Sequence, residues 1–227
     1  MPKPADLVIV TAMPEEMEGI RRHFPTEVKF NTPSGPWHCH RSTEGKHLWT
    51  ALVGIKAPKA AELLAWVKEN TKADHVLLLG CCGALTEDLK VGDALIAQTH
   101  VSWPACNEHP CSLKWIEHLQ CTFPTFPCKR FVTSGTLLDT EELKSLCRTT
   151  SRADVVEMEG YLLAEQAERL RLSFASVRWV LDRSKEEIEI SRKSMYTNSV
   201  SVITLNERLK NIAEKMADAA KTLLDLA

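Results

Sequence analysis

Apolar residues along the chain fall into two patterns: short solid runs, and positions spaced three to four apart. Leu7-Val8-Ile9-Val10 is a solid run of the length a buried strand needs. Pro14 suits the first turn of a following helix, Met17, Ile20 and Phe24 recur at helical spacing, and Pro25 ends it. Trp37–Arg41 and His47–Val53 read as two strands around the Glu44-Gly45 turn, and Ala57–Asn70 as an Ala/Leu-rich helix. Val76–Leu79 is a second buried strand, running into Gly80-Cys81-Cys82-Gly83 as a turn, and Ala94–Val101 is a strand introduced by Val91-Gly92-Asp93. Residues 102–129, with Pro104, Pro110, Pro124 and Pro127, read as irregular. Beyond them come a strand at Arg130–Thr133 and a helix at Asp139–Cys147. A short strand at Val155-Val156 follows, leading into a helix at Gly160–Arg169, and then a strand at Phe174–Leu181. Residues 185–198 are polar and charged, read as a mobile segment or a short helix. Ser199–Leu226 is a long amphipathic helix, with Leu205, Leu209, Ile212, Met216 and Ala219 on one face. Strands alternating with helices predict a three-layer α/β/α fold with a mixed, mainly parallel sheet, as one domain over residues 1–227.

Composition narrows the function classes. The 227 residues are 44% hydrophobic and 26% charged, the proportions of a globular chain. The net charge of -2 provides no basic surplus for nucleic acid. Neither the N-terminal region nor any other stretch has the apolar length of a secretory signal or a membrane span. A cytoplasmic protein without membrane or nucleic-acid partners is therefore expected, with its eight cysteines reduced. Cys106, Cys111, Cys121 and Cys128 lack the tight C-x2-C knuckle of a zinc site, so free thiols are expected and no metal.

In open α/β sheets, ligands bind beyond the carboxyl ends of the strands. Acidic residues recur at that place. Glu15 and Glu16 follow the first strand, Glu157 and Glu159 follow Val155-Val156, and Asp182 follows Phe174–Leu181. Each alone reads as a helix-dipole or turn residue. Together they make a cluster that structural needs do not require, because like charges repel. Such a cluster suits cleavage of a glycosidic bond: negative charge stabilises an oxocarbenium-like transition state, one carboxylate activates water, and an acid assists the leaving group.

Several segments then resemble a known family. Ile9-Val10-Thr11-Ala12-Met13-Pro14-Glu15-Glu16 is similar to the opening of the nucleoside phosphorylase superfamily, in its methylthioadenosine/S-adenosylhomocysteine nucleosidase branch. Gly54-Ile55, Gly80-Cys81-Cys82-Gly83-Ala84-Leu85 with Val91-Gly92-Asp93, Val156-Glu157-Met158-Glu159, and Val177-Arg178 with Asp182 resemble its later motifs, in order. The resemblance implies that Glu16 acts on the attacking water and that Glu159 holds the ribose 2′ and 3′ hydroxyls with Met158 against the sugar. It further implies that Asp182 protonates or hydrogen-bonds purine N7, and that Arg178 orients Glu16, Glu159 or the water. Glu157, Cys81 and Leu138 complete the expected substrate contacts. Departures from the family pattern are Lys56, Cys81, Ala84 and Leu181, and Leu138 stands where the family stacks an aromatic ring on the base. The implied activity is hydrolysis of a 5′-substituted adenine-type nucleoside, such as methylthioadenosine or S-adenosylhomocysteine, without a cofactor and by a homodimer. A futalosine-type or adenosylhopane nucleosidase shares the layout.

Two other readings compete. A phosphorylase needs cations for phosphate, and Lys90 is the sole Lys or Arg between Leu77 and His100. A nucleoside-binding protein without turnover would have no use for Glu16 where water attacks.

Overall fold

In the computed structural model, residues 2–32, 34–188 and 200–227 are described, with side chains of 200–203 excepted. The polar segment expected over 185–198 lies outside the described residues from 189 onward.

The chain begins with β1 (Leu7–Thr11), buried at every position, and turns into α1 (Pro14–His23), with Pro14 in its first turn. β2 (Thr26–Thr32), β3 (Gly35–Arg41) and β4 (His47–Leu52) form an antiparallel meander that docks on β1 through the parallel β1–β4 pair. α2 (Ala60–Thr71) leads to β5 (His75–Ala84), and then come β6 (Ala94–Trp103), β7 (Glu108–Pro110), α3 (Leu113–Thr122) and β8 (Cys128–Ser134). α4 (Glu141–Ser151), β9 (Val155–Glu157), α5 (Gly160–Arg169), β10 (Ser173–Asp182) and α6 (Val200–Leu226) complete the order.

The sheet is mixed. β10, β5, β1 and β4 run parallel to one another, as do β6, β8 and β9. Antiparallel pairs β10–β6 and β5–β9 join the two groups, so β5, β10, β6, β8 and β9 close on themselves in a ring. α1 and α6 pack on each other and reach β1, and α2 packs with α5, so helices cover the sheet in layers. One large core joins β1, β4, β5 and β10 to α6, and a smaller one gathers Leu85, Val101, Val132, Leu138, Cys147, Ala153 and Val156.

Two expectations change. Gly80-Cys81-Cys82-Gly83 is strand, the second half of β5, and not a turn. Its glycines admit neighbouring side chains: Arg178 pairs across from Gly80 and fills the space a Cβ would take there. Asp182 pairs with Gly83, its carboxylate 3.0 Å from the corresponding position. Residues 102–129 are not irregular. They hold β7, α3 and the start of β8. Cys121 lies on α3 and Cys128 on β8, Cys106 and Cys111 lie in the connections, and all four are free thiols. The apolar face of α6 packs into the main core, where Ile212, Met216 and Ala219 are buried.

Candidate active site

The turn from β1 into α1 brings Glu16 back over its own helix start. Glu16 Oε2 accepts from the Ala12 and Met13 amides, each at 3.0 Å, the satisfaction of a helix N-terminus that a third-position glutamate provides. Its Oε1 accepts from the Cys81 amide of β5 at 2.8 Å. The carboxylate thus joins two strands while being buried. Burial raises its pKa, and Arg178 together with the three amides opposes that only in part.

β10 supplies Arg178, likewise buried. Its Nη2 donates to Glu157 Oε2 at 2.6 Å and Glu159 Oε2 at 2.9 Å, and its Nη1 donates to the Cys81 carbonyl at 3.2 Å. The Cys81 peptide therefore touches Glu16 through its N–H and Arg178 through its C=O. Burial works against the Arg178 charge, but Glu157, Glu159 and Glu16 hold the guanidinium firmly protonated.

Glu157 and Glu159 stand at the junction of β9 and α5. Glu157 is saturated by the protein. Besides Arg178, it accepts from the Glu159 and Gly160 amides, at 2.9 and 2.6 Å, and from the Thr133 hydroxyl. Buried His100, set between Phe131 and Phe174, brings Nδ1 to 3.4 Å from Glu157 Oε1. Burial raises the Glu157 carboxyl, yet Arg178, His100 and Thr133 outweigh it and lower the pKa from 4.5 to about 2. Glu159 has fewer donors, namely Arg178 and the Lys56 amide at 3.2 Å. Burial, reinforced by the Glu157 and Glu16 charges, raises it to about 7 against the pull of Arg178. Three buried carboxyls thus face one guanidinium, and adjacent groups have widely separated proton affinities, a pattern that accompanies acid–base work.

Asp182, at the end of β10, meets Lys144 of α4 at 2.6 Å in a buried ion pair. Burial raises Asp182 and Lys144 lowers it, with a net rise. Lys144 is absent from the sequence expectations. Its signal was a lysine in register with Cys147 and Ser151 on the buried face of α4. Thr133 and His100, which hold Glu157, also went unread.

Cys81 is half-buried beside Glu16, and burial with the Glu16 charge raises its thiol well above the ordinary range. Met158 is half-buried between Glu157 and Glu159. Leu138 lies in the smaller core with Leu85 and Val156. Among the described residues, no group of three or more His, Cys, Asp or Glu side chains is placed to hold a metal ion, and no helix is long and apolar enough to cross a membrane.

Residues 6–133, which include Glu16 and Cys81, match the family model of the phosphorylase superfamily. The chain belongs to the phosphorylase superfamily. Glu157, Glu159, Arg178 and Asp182 lie beyond the matched range. No curated protein sequence matches the chain. Solved structures extend the likeness to its full length. The chain is similar to the 5′-methylthioadenosine/S-adenosylhomocysteine nucleosidase of Helicobacter pylori bound to a pyrrolidine compound (TM-score 0.79, 17% identity, covering 100% of this chain and 99% of that one). It is similar to native futalosine hydrolase of Helicobacter pylori (TM-score 0.80, 17% identity, covering 100% and 98%). The corresponding Campylobacter jejuni nucleosidase gives a TM-score of 0.78 at 18% identity over 98% of each chain. At these identities the likeness is one of fold, which is the three-layer α/β/α arrangement with a mixed sheet.

Proposed function

We propose that the chain hydrolyses the N-ribosidic bond of a purine nucleoside, releasing free base and sugar. The observation that carries this reading is the gathering of Glu16 and Glu159, which follow β1 and β9, around Arg178 of β10, beside the glycine-bearing half of β5. An oxocarbenium-like sugar needs negative charge close by, and this cluster holds more carboxylates than cations. Glu159 has the spare acceptor capacity to take two ribose hydroxyls, whereas Glu157 is filled by protein donors and acts by fixing Arg178 and the start of α5. Glu16, raised by burial, is suited to activate water. Asp182 hydrogen-bonds the base edge as it leaves, with Lys144 behind it as its cationic partner. Met158 packs against the sugar, and Cys81 and Leu138 border the substrate.

Water is preferred over phosphate as the nucleophile because Arg178, the cation at the cluster among the described residues, is already engaged by two carboxylates. The 5′-substituted adenine-type nucleosides named for two of the structural neighbours are the first substrates to try, with futalosine beside them. The test is a nucleoside panel assayed for free base without phosphate. Base release sustained without phosphate supports the reading. Release that requires phosphate, or tight binding with no release, would replace it with phosphorolysis or with a silent binder.

A further inference from the structure

Lys144 sits where an amphipathic helix ordinarily places an apolar residue, and its side chain is withdrawn from water. Its Nζ meets three oxygens: Asp182 Oδ2 at 2.6 Å, the Arg183 carbonyl at 2.7 Å and the Glu186 carbonyl at 2.8 Å. Three acceptors use all three N–H bonds of an ammonium, whereas a neutral amine has only two to offer. The other distribution, a neutral amine against a protonated Asp182, is disfavoured. Both carbonyl dipoles aim their negative ends at Nζ, which favours the cation there. Among the described residues, the other charges acting on Asp182 are Glu186 and Arg208, and these pair with each other at 2.7 Å. Lys144 is therefore the cation in direct contact with Asp182, which is left as an acceptor.

We propose that Lys144 sets the base preference of the site: by holding Asp182 as a hydrogen-bond acceptor, it selects 6-aminopurine nucleosides over 6-oxopurine nucleosides. This rests on the reading of Asp182 as the residue facing the base. A 6-amino group offers N–H to the carboxylate. A 6-oxo group offers only lone pairs, so two acceptors would face each other in a desolvated site, an arrangement that buried polar sites reject strongly. Lys144 touches Asp182 and not the base, so it is a positioning residue for specificity. Without the ammonium, burial pushes the Asp182 carboxyl further toward its protonated form, and a carboxylic acid can donate to a 6-oxo group as well as accept from a 6-amino group.

The experiment compares kcat/KM for 5′-methylthioadenosine and 5′-methylthioinosine, read as base release without phosphate, in the wild type and in Lys144→Met. The wild type is expected to favour the 6-amino substrate by about 10²-fold. In Lys144→Met that ratio should fall at least tenfold. A purely structural loosening would slow both substrates alike and leave the ratio in place. A wild type that prefers the 6-oxo substrate, or an unchanged ratio in the variant, overturns the proposal. If Lys144→Met does not fold, Asp182→Asn, whose amide both donates and accepts, must show the same collapse of the ratio. If the wild type releases base from neither nucleoside, the hydrolytic reading is decided by the wider nucleoside panel. Calorimetry with 9-methyladenine and 9-methylhypoxanthine then decides the base preference: at least tenfold tighter binding of the former supports it, and equal or weaker binding overturns it.

Discussion

Arg178→Met removes the cation that holds the acidic cluster together. In the wild type the guanidinium donates to Glu157 and Glu159 and to the Cys81 carbonyl, all out of water. Methionine has comparable reach but no charge, so three buried carboxyls are left without a counter-ion. Removing one partner of a buried pair costs about 3–5 kcal/mol. The Glu157 pKa gives a second measure: its depression from 4.5 to about 2 corresponds to about 3 kcal/mol, at about 1.4 kcal/mol per unit. That contribution is fully present above the unfolded value of 4.5 and is lost as pH falls toward 2. In the variant the sign reverses. With Arg178 gone, burial raises the carboxyls, so the folded state keeps protons that the unfolded chain has shed, and stability rises as pH falls. Urea unfolding followed by tryptophan fluorescence should therefore show a loss of about 3–5 kcal/mol at pH 7.5. At pH 5.0 the loss should shrink to about 1–2 kcal/mol, the worth of the missing hydrogen bonds. Since domains have only about 5–15 kcal/mol in total, a variant unfolded at pH 7.5 and folded at pH 5.0 meets the same expectation. A loss below about 1 kcal/mol at pH 7.5, or an equal loss at both values, would refute a charge-held cluster.

Glu159, raised to about 7, must ionise to accept two ribose hydroxyls, so nucleoside affinity should rise with pH through that value, as calorimetry across the range will show. The same group favours the folded state at low pH and loses that contribution between 4.5 and about 7, so Glu159→Gln should remove that part of the pH dependence in urea titrations. Gly80→Ala puts a methyl group where Arg178 Nη1 lies. Steady-state assays should find turnover reduced by about 10²-fold, the usual consequence of displacing a positioned group by about 1 Å, and unchanged turnover would show that Arg178 has room to move. Alkylation at pH 8 with mass-spectrometric mapping should label exposed Cys121 and spare Cys81, whose thiol is raised well above its ordinary range.

The acidic cluster was legible in the sequence because each carboxylate follows a solid apolar run, and the end of a buried parallel strand is where such a sheet exposes chemistry. β1, α5 and β10 were legible for the same reason, since their apolar patterns match their burial. β2 was not. It is an edge strand with exposed residues at most positions, so no alternation marks it. The second half of β5 was misread because glycines ordinarily signal turns. Here they make room for Arg178 and Asp182 from the neighbouring strand, a requirement visible only once β10 is registered beside β5. α3 was hidden among prolines that flank it without interrupting it. Lys144 was hidden by its type: lysine on an amphipathic helix reads as solvent-facing, and only the partner at 2.6 Å shows otherwise. Arg178 was expected to orient Glu16, Glu159 or the water. It bonds Glu159 and Glu157 directly and reaches Glu16 through charge and through the Cys81 peptide.

Glu16→Gln tests the central claim most directly. The glutamine oxygen can still accept from the Ala12 and Met13 amides, so the start of α1 is expected to hold, while no base remains to activate water. Calorimetry of 5′-methylthioadenosine on the variant, with phosphate-free base release measured beside the wild type, should show nucleoside bound and release lowered by at least about 10²-fold. Wild-type release that depends on added phosphate, or a Glu16→Gln variant that releases base at the normal rate, would contradict hydrolysis driven by Glu16.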